Sequence, residues 1–281
     1  MTIILDGKSL SEKILLKIKD EIKQNNFTPT LAVVMVGNNP ASEIYVKNKA
    51  LKADEIGIKS TIIKLPENIS QEDLENEIDK LAKDKNLNAI LVQLPLPKHI
   101  FPPKIIEKIP PEKDVDGFHP YNIGKLFAGD EPYAKACTPL GIIKLLDEYK
   151  IDLEGKHVVI VGRSNIVGKP LVAMFTNYNA TVTLCHSKTK NLKEITNKAD
   201  ILVCAIGKSK FFTAEYIKEN AVVIDVGISR DANGKISGDA DFENIKEKTS
   251  YITPFPKGVG PMTIAMLMYN TLSLYKKTSQ K

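Results

Sequence analysis

The chain is expected to fold as an α/β protein with mainly parallel sheets, divided into two domains. Three observations carry this expectation. Short apolar runs alternate with amphipathic stretches along the chain. The runs form two series, and a Pro-rich stretch from Pro95 to about Thr138 separates them. Strands alternating with helices imply βαβ units, because a parallel neighbour needs a crossover.

Leu10, Ile14, Leu15, Ile18 and Ile22 recur at helical spacing. Leu31–Val36, Ser60–Leu65 and Asn88–Gln93 read as strands. Between the first two of these, Asn39-Pro40-Ala41 opens a helix, since proline is tolerated in a first turn. Leu74, Ile78 and Leu81 mark another helix behind Ser70, a plausible N-cap. The Pro-rich stretch reads as irregular apart from a short helix near Asn122–Leu126, and irregular stretches of this kind are functional or inter-domain. The second strand series is His157–Val161, Ala180–Leu184, Asp200–Cys204 and Ala221–Asp225. An amphipathic helix, about Met262 to Tyr275, closes the chain. The expected domains are residues 1–120, joined by the final helix 263–281, and residues 121–262.

Composition narrows the function. No run of about 18 uncharged apolar residues exists to span a membrane. The N-terminus reaches Asp6 before a signal-peptide apolar region could form. Three cysteines, Cys137, Cys185 and Cys204, lack C-x-x-C spacing, which argues against a disulfide framework or a Cys-based zinc site. Cys204, inside an apolar run, reads as core packing. The histidines never pair at i,i+4, so no metal site is expected. Together these features fit a cytoplasmic protein. The net charge of +5 comes almost wholly from scattered lysines, and only Arg163 and Arg230 are arginines. Arginine dominates bidentate reading of phosphates and bases, so a nucleic-acid binder is not expected.

Val161-Gly-Arg-Ser-Asn-Ile-Val-Gly168 follows a strand and opens a helix. It reads as a variant phosphate turn, with Gly162 for the tight turn and Gly168 for close packing or approach, although Ser164 replaces the usual middle glycine. The next strand ends in Cys185-His-Ser-Lys-Thr189 with no acid. An NAD site would place a carboxylate there. Arg163, Ser187 and Lys188 suit a 2′-phosphate instead, which points to NADP.

On the helix opened by Pro40, Ser42, Tyr45 and Lys49 lie at i, i+3 and i+7 and share one face. A lysine facing a cleft can exchange protons, although a surface helix writes the same pattern. Gln93 stands at the carboxyl end of a strand, where open α/β sheets place ligand sites. Asp114 and Asp116 offer carboxylates on a loop, and Thr253–Thr263 forms a Pro/Gly loop suited to lying against a ligand.

With these segments in order, the sequence resembles the bifunctional methylenetetrahydrofolate dehydrogenase/cyclohydrolase family. The resemblance covers Tyr45-Val-x-x-Lys49, Val92-Gln-Leu-Pro-Leu-Pro97, Lys113-Asp-Val-Asp-Gly-Phe118, Cys137-Thr-Pro-Leu-Gly141, Gly162-Arg-Ser-x-Ile-Val-Gly168, Cys185-His-Ser-Lys-Thr189 and Gly258-Val-Gly-Pro-Met-Thr263. It implies an N-terminal α/β folate-binding catalytic domain and a C-terminal Rossmann-like NADP-binding domain, with the active-site cleft between them. The implied activity is NADP-dependent oxidation of 5,10-methylenetetrahydrofolate to the methenyl cation, then hydrolysis to 10-formyltetrahydrofolate, in a homodimer. Lys49 matches the catalytic lysine, with Tyr45 positioning the folate, Gln93 holding Lys49 and Asp116 bonding the pterin. Ser42, Val92, Leu94, Gly260 and Pro261 complete the implied substrate site. Gly162, Arg163, Ser164, Ser187 and Ile228 fall where the family contacts NADP.

One departure stands out. The family reads Pro-Gly-Gly-Val-Gly-Pro before the last helix, and this chain has Lys257 at the first of those glycines. The expectation is that Lys257 sits at φ < 0, with its side chain toward solvent or an anionic glutamate tail. Two alternatives stay open: a monofunctional dehydrogenase, against which Lys49, Tyr45 and Gln93 argue, and a non-catalytic dinucleotide-binding sensor on the same fold.

Overall fold

A computed structural model describes residues 1–230 and 234–279. In chain order, β1 (Ile3–Ile4) leads into α1 (Gly7–Asn25), β2 (Thr30–Val36), α2 (Pro40–Glu55), β3 (Lys59–Leu65), α3 (Gln71–Lys83) and β4 (Ala89–Val92). Three helices follow without a strand: α4 (Pro102–Lys108), α5 (Pro120–Phe127) and α6 (Cys137–Glu148). The second series runs β5 (His157–Val161), α7 (Gly168–Asn177), β6 (Thr181–Cys185), α8 (Leu192–Thr196), β7 (Ile201–Cys204) and β8 (Ala221–Asp225). It ends with β9 (Ser229–Arg230), β10 (Ile236–Ser237), α9 (Phe242–Ile245), β11 (Thr249–Ile252) and α10 (Val259–Ser279).

Two compact units result. One comprises Lys13–Cys137 and the chain from Ile264; the other comprises Met1–Glu12 and Thr138–Thr263. The division therefore falls at Cys137/Thr138, not at the expected 120/121. Asn122 on α5 explains the difference: its Nδ2 donates to Pro111 O and to Asp114 Oδ2, both at 2.9 Å, which fastens α5 to the preceding loop. The first residues join the second unit because Ile3 and Ile4 pair in parallel with Tyr251 and Ile252. Neither β1 nor β11 was anticipated, since two paired residues leave no periodic signal.

The Lys13–Cys137 unit carries a three-stranded parallel sheet in the order β3-β2-β4. Central β2 is buried from Leu31 to Val36, as a parallel strand covered on both faces must be. Ala32, Val34, Ile90 and Val92 pack with Leu74 and Ile78 of α3 and Ile105 of α4. The Ser70 cap is present: its Oγ accepts from Asp73 N at 3.0 Å. The Pro-rich stretch is more ordered than expected, because Pro102 and Pro103 occupy the first turn of α4, where a missing N–H costs nothing. Strand order reverses at β2, which has β3 on one side and β4 on the other.

The Thr138–Thr263 unit holds a six-stranded sheet, β1-β11-β8-β7-β5-β6, with every pair parallel. Val159, Val161, Leu202, Cys204 and Val223 form its core with Phe212, so Cys204 is core packing. Here the order reverses at β5, between β6 and β7. No helix among the described residues is long and apolar enough to cross a membrane.

Candidate active site

In open α/β sheets, ligand crevices open beyond the carboxyl ends of the strands where the order reverses. The first unit places Lys49 and Gln93 at such a point. Lys49 lies on α2, which follows β2, and Gln93 follows β4 with its N–H bound to Val34 O at 2.8 Å. Lys49 Nζ donates to Gln93 Oε1 at 3.0 Å. Gln93 Nε2 donates to Leu94 O at 2.6 Å, so the amide is oriented with its acceptor toward the lysine.

Asp116 is the third member. The segment before it runs beside β4, where Ile90 N donates to Lys113 O at 2.8 Å. Gly117, at φ +68, presses against the backbone of Lys135 and Ala136, a turn no side chain would permit. Burial pushes the Asp116 carboxyl up to about 6, the Lys49 ammonium opposes this, and the Asp114 carboxylate adds to it. The two carboxylates of the loop thus divide in role. Asp114 is buried and accepts from His119 N at 2.7 Å and Asn122 Nδ2 at 2.9 Å, so it organises the loop. Asp116 shares with Asp114, Val92, Leu94 and Phe118 the lining of a small cavity, and it is the carboxylate that the Lys49 charge acts on.

The other expected substrate residues are placed unevenly. Ser42 is buried in the first turn of α2, its N–H held by Asn39 Oδ1 at 3.1 Å. Tyr45, one turn before Lys49, is 44% exposed, as suits a ring that lies against a ligand. Val92 is buried at the end of β4. Gly260 and Pro261 start α10 and belong to the other unit.

In that unit the five expected cofactor residues line the carboxyl edge of the parallel sheet. Gly162, Arg163 and Ser164 follow β5, Ser187 follows β6 and Ile228 follows β8. Gly162 has φ +130, and a Cβ there would overlap Ala205 O on the adjacent loop. A Cβ at Gly168 would overlap Gly162 O, which accounts for the second glycine as close packing. Ser164 Oγ accepts from Val167 N at 3.2 Å and shapes the turn, while Arg163, Ser164, Ser187 and Ile228 stay exposed. Backbone amides at the start of α7, an exposed guanidinium and a hydroxyl without a neighbouring acid fit a dinucleotide bearing a 2′-phosphate.

The Lys257 expectation is overturned. Its φ is +83, in the left-handed region, although its side chain is exposed. The loop is held from below: Lys8 N donates to Lys257 O at 2.9 Å, and Gly7 has no room for a Cβ beneath Gly258 O. The backbone therefore keeps a glycine-type conformation with lysine in it. The nearby ammonium adds to the Ser9 hydrogen bonds that hold the Asp6 carboxyl below its ordinary range.

Sequence reasoning missed the support of Asp116. Cys137 is buried, its thiol pushed well up by burial, with Sγ 3.6 Å from Val115 O and 3.8 Å from Asp116 Oδ1. Asn270 Nδ2 donates to Val115 O and Lys135 O, both at 2.8 Å, and reaches Cys137 Sγ at 3.5 Å. An asparagine within the apolar run of α10 was the available signal, because a buried amide requires partners.

Comparison with known proteins agrees with this geometry. The model of the tetrahydrofolate dehydrogenase/cyclohydrolase catalytic domain matches residues 5–116, and that of the family's NAD(P)-binding domain matches residues 136–279. Bifunctional protein FolD of Bacillus cytotoxicus is 53% identical over 280 residues, covering 99% of this chain and 98% of that one. The crystal structure of the bifunctional FolD enzyme from Campylobacter jejuni superposes with a TM-score of 0.96 at 50% identity, covering 99% of each chain. The Trypanosoma brucei methylenetetrahydrofolate dehydrogenase-cyclohydrolase, solved with NADP cofactor and an inhibitor, has a TM-score of 0.94 at 34% identity, covering 100% of this chain and 99% of that one. With a Lys–Gln–Asp constellation at one strand reversal and a phosphate turn at the other, the chain belongs to the tetrahydrofolate dehydrogenase/cyclohydrolase family.

Proposed function

We propose that this chain is a bifunctional enzyme of one-carbon metabolism. It oxidises 5,10-methylenetetrahydrofolate to 5,10-methenyltetrahydrofolate and hydrolyses that cation to 10-formyltetrahydrofolate. The observation that carries the reading is the Lys49–Gln93 hydrogen bond beside Asp116 at the β2/β4 reversal. NADP, when bound, supplies the acceptor for the hydride that leaves the methylene carbon. Gly162, Arg163, Ser164, Ser187 and Ile228 would hold it.

In hydrolysis, Lys49 Nζ is the proton carrier. Water adds to the methenyl carbon as one of its protons passes to the amine. The adduct opens when N5 is protonated and the hydroxyl proton is lost, leaving the formyl group on N10 and one net proton in solvent. Gln93 is the positioning residue that fixes Nζ through its oriented amide. Asp116 complements the amino-pyrimidine edge of the pterin, and Tyr45 positions the ring. Ser42, Val92, Leu94, Gly260 and Pro261 complete the substrate site.

We also infer a cytoplasmic homodimer that supplies formyl groups to purine biosynthesis. All three cysteines are free and buried, as suits a reducing compartment. Ile44 and Leu51 of α2 and Ile62 of edge strand β3 are 62%, 51% and 45% exposed, an apolar surface that a second copy would cover.

The deciding experiment incubates purified protein with methylenetetrahydrofolate and NADP while reading NADPH and the methenyl chromophore. NADPH should form, with the chromophore consumed as formyl product appears. NADPH with a stable chromophore would identify a monofunctional dehydrogenase, and NADP binding with no turnover a sensor.

A further inference from the structure

Among the described residues, two buried carboxylates lie outside the residues assigned above, and both are in the Thr138–Thr263 unit. Asp239 is fully buried. Its Oδ2 accepts from Ile206 N at 2.6 Å and Gly207 N at 3.0 Å, and its Oδ1 accepts from Lys208 N at 2.7 Å. Three successive amides converging on one carboxylate form the kind of concavity that binds anions, filled here by the chain's own side chain. Asp225, at the end of β8, holds Asp239 in turn. Its Oδ1 accepts from Asp239 N at 2.9 Å and its Oδ2 from Ala240 N at 3.0 Å, while Asp225 N donates to Thr253 Oγ1 at 2.7 Å.

The position of the gathered amides gives this arrangement its meaning. Residues 205–208 follow β7, which pairs with β5 where the strand order reverses. Ala205 O packs so closely on Gly162 that a Cβ there would overlap it, so the loop buttresses the phosphate turn. Asp239 also touches the loop after β8: a Cβ at Gly227 would overlap its carboxylate, and Gly227 immediately precedes Ile228. One buried side chain therefore holds the 206–208 loop by hydrogen bonds and packs against the loop after β8, whose Gly227 backbone is bonded by Asp225. Gly207 and Lys208 are themselves exposed, and among the described residues the one side-chain contact there is an outward one, the Lys208 ammonium 5.6 Å from the centre of the Phe211 ring.

We propose that Asp239 is a positioning residue for the cofactor: it pre-orders the 205–208 wall of the β5/β7 crevice through three backbone hydrogen bonds, with Asp225 as its support. This rests on the reading that the crevice takes NADP. The carboxylate is fully buried and its hydrogen bonds go to Ile206, Gly207 and Lys208, so it contributes by holding backbone in place and not by contacting the ligand. Loops ordered before binding leave less conformational freedom to be lost on binding.

Two substitutions disturb this differently. Asp239→Asn replaces one acceptor oxygen by a donor, which cannot face the amides it met before. Gly227→Ala keeps the carboxylate and displaces it with a methyl group. NADP affinity should fall at least about tenfold in both, whereas NADP-independent hydrolysis of methenyltetrahydrofolate should change less than about threefold, consistent with entropy-based preorganisation in one unit. Hydrogen exchange on wild-type protein needs no variant to fold. Without NADP, the amides of 206–208 should exchange at least about 100-fold more slowly than an unstructured chain, and added NADP should change this little. Wild-type protein that binds no NADP overturns the reading of the crevice. Wild-type binding with undiminished affinity in both variants overturns the role of Asp239 alone, as do 206–208 amides that become protected only when NADP is added.

Discussion

Both units place their chemistry beyond a strand reversal, but they build it from different atoms. At β2/β4 the groups brought together are side chains: the Lys49 amine, the Gln93 amide and the Asp116 carboxyl. At β5/β7 the framework is backbone: Gly162 at φ +130, Gly168 packed on its carbonyl, and three amides drawn together by a buried aspartate. The first site should fail when a functional group is removed though the fold survives. The second should fail when a Cβ is added or an acceptor lost. Geometry assembled from main chain is disturbed through the groups that pack on it or hold it, so removing Arg163 or Ser187 should shift cofactor preference there without abolishing the site.

The largest expected effect separates the two sites most sharply. Lys49→Met keeps the bulk of the side chain and removes the amine. Hydrolysis of the methenyl cation should fall by about 100-fold or more, the range that a proton-transferring group contributes. NADP titration of the same variant should match wild type. A variant that retains near-normal hydrolysis removes Lys49 from its role. One that loses NADP affinity as well would show that the two sites are not independent.

Asp116 tests the side-chain site through stability. Its folded pKa, about 6, lies above the ordinary carboxyl value of 3.8. Between these values the folded chain binds more protons than the unfolded chain, so stability falls as pH rises through that window. Above about pH 7 the full penalty is present, at most about 3 kcal/mol for a shift of roughly two units, and less with partial solvent screening. Asp116→Asn should therefore be more stable than wild type at pH 8, with the advantage closing toward pH 4. Denaturant melts at the two pH values measure it. A difference that does not change with pH would mean that the carboxyl titrates like an ordinary one. The same variant should bind folate more weakly, since stability and recognition pull this residue in opposite directions.

What could be read beforehand follows the same division between side chain and backbone. Strands buried on both faces, such as Leu31–Val36 and His157–Val161, announce themselves as continuous apolar runs. Lys49, Gln93 and Asp116 could be named from motifs, and the role of Gly168 from spacing. Distant partners could not. Asn270 meets Val115 across 155 residues, and Asp239 meets Ile206 across 33, with no periodic pattern to connect either pair. The side of the junction that α5 packs on is hidden for a related reason: the bond from Asn122 to Asp114 ties it to the preceding loop, and proline content does not report it.

Arg163 offers a smaller effect at the backbone site. It is exposed, so a charge-assisted bond to a 2′-phosphate should contribute about 2 kcal/mol, or roughly 30-fold in preference for NADP over NAD. Arg163→Ala should lose most of that preference while NAD binding barely changes. Parallel titrations with the two dinucleotides give the result, and equal losses for both would mean that Arg163 supports the turn and does not read the phosphate. Raising the salt concentration should narrow the wild-type preference, as expected for an exposed charge pair.

The smallest effect concerns Lys257, where a side chain occupies a backbone of glycine type. A residue with a Cβ in the left-handed region costs about 1–2 kcal/mol relative to its ordinary conformations. Glycine would remove that strain but lose more chain entropy on folding, roughly 0.5–1 kcal/mol. The exposed attraction to Asp6 is worth little. Lys257→Gly should therefore stabilise the protein by about 0.5–1 kcal/mol, read as a small rise in the midpoint of denaturant unfolding. Lys257→Val should go the other way, because a β-branched residue tolerates this conformation least. Lys257→Ala separates strain from side-chain contacts, since it keeps the Cβ and removes the ammonium. If alanine matches lysine and glycine exceeds both, the backbone conformation limits the loop. If alanine and glycine are equally stabilised, the lysine side chain itself is the burden, and the loop after β11 behaves like the side-chain site of the other unit.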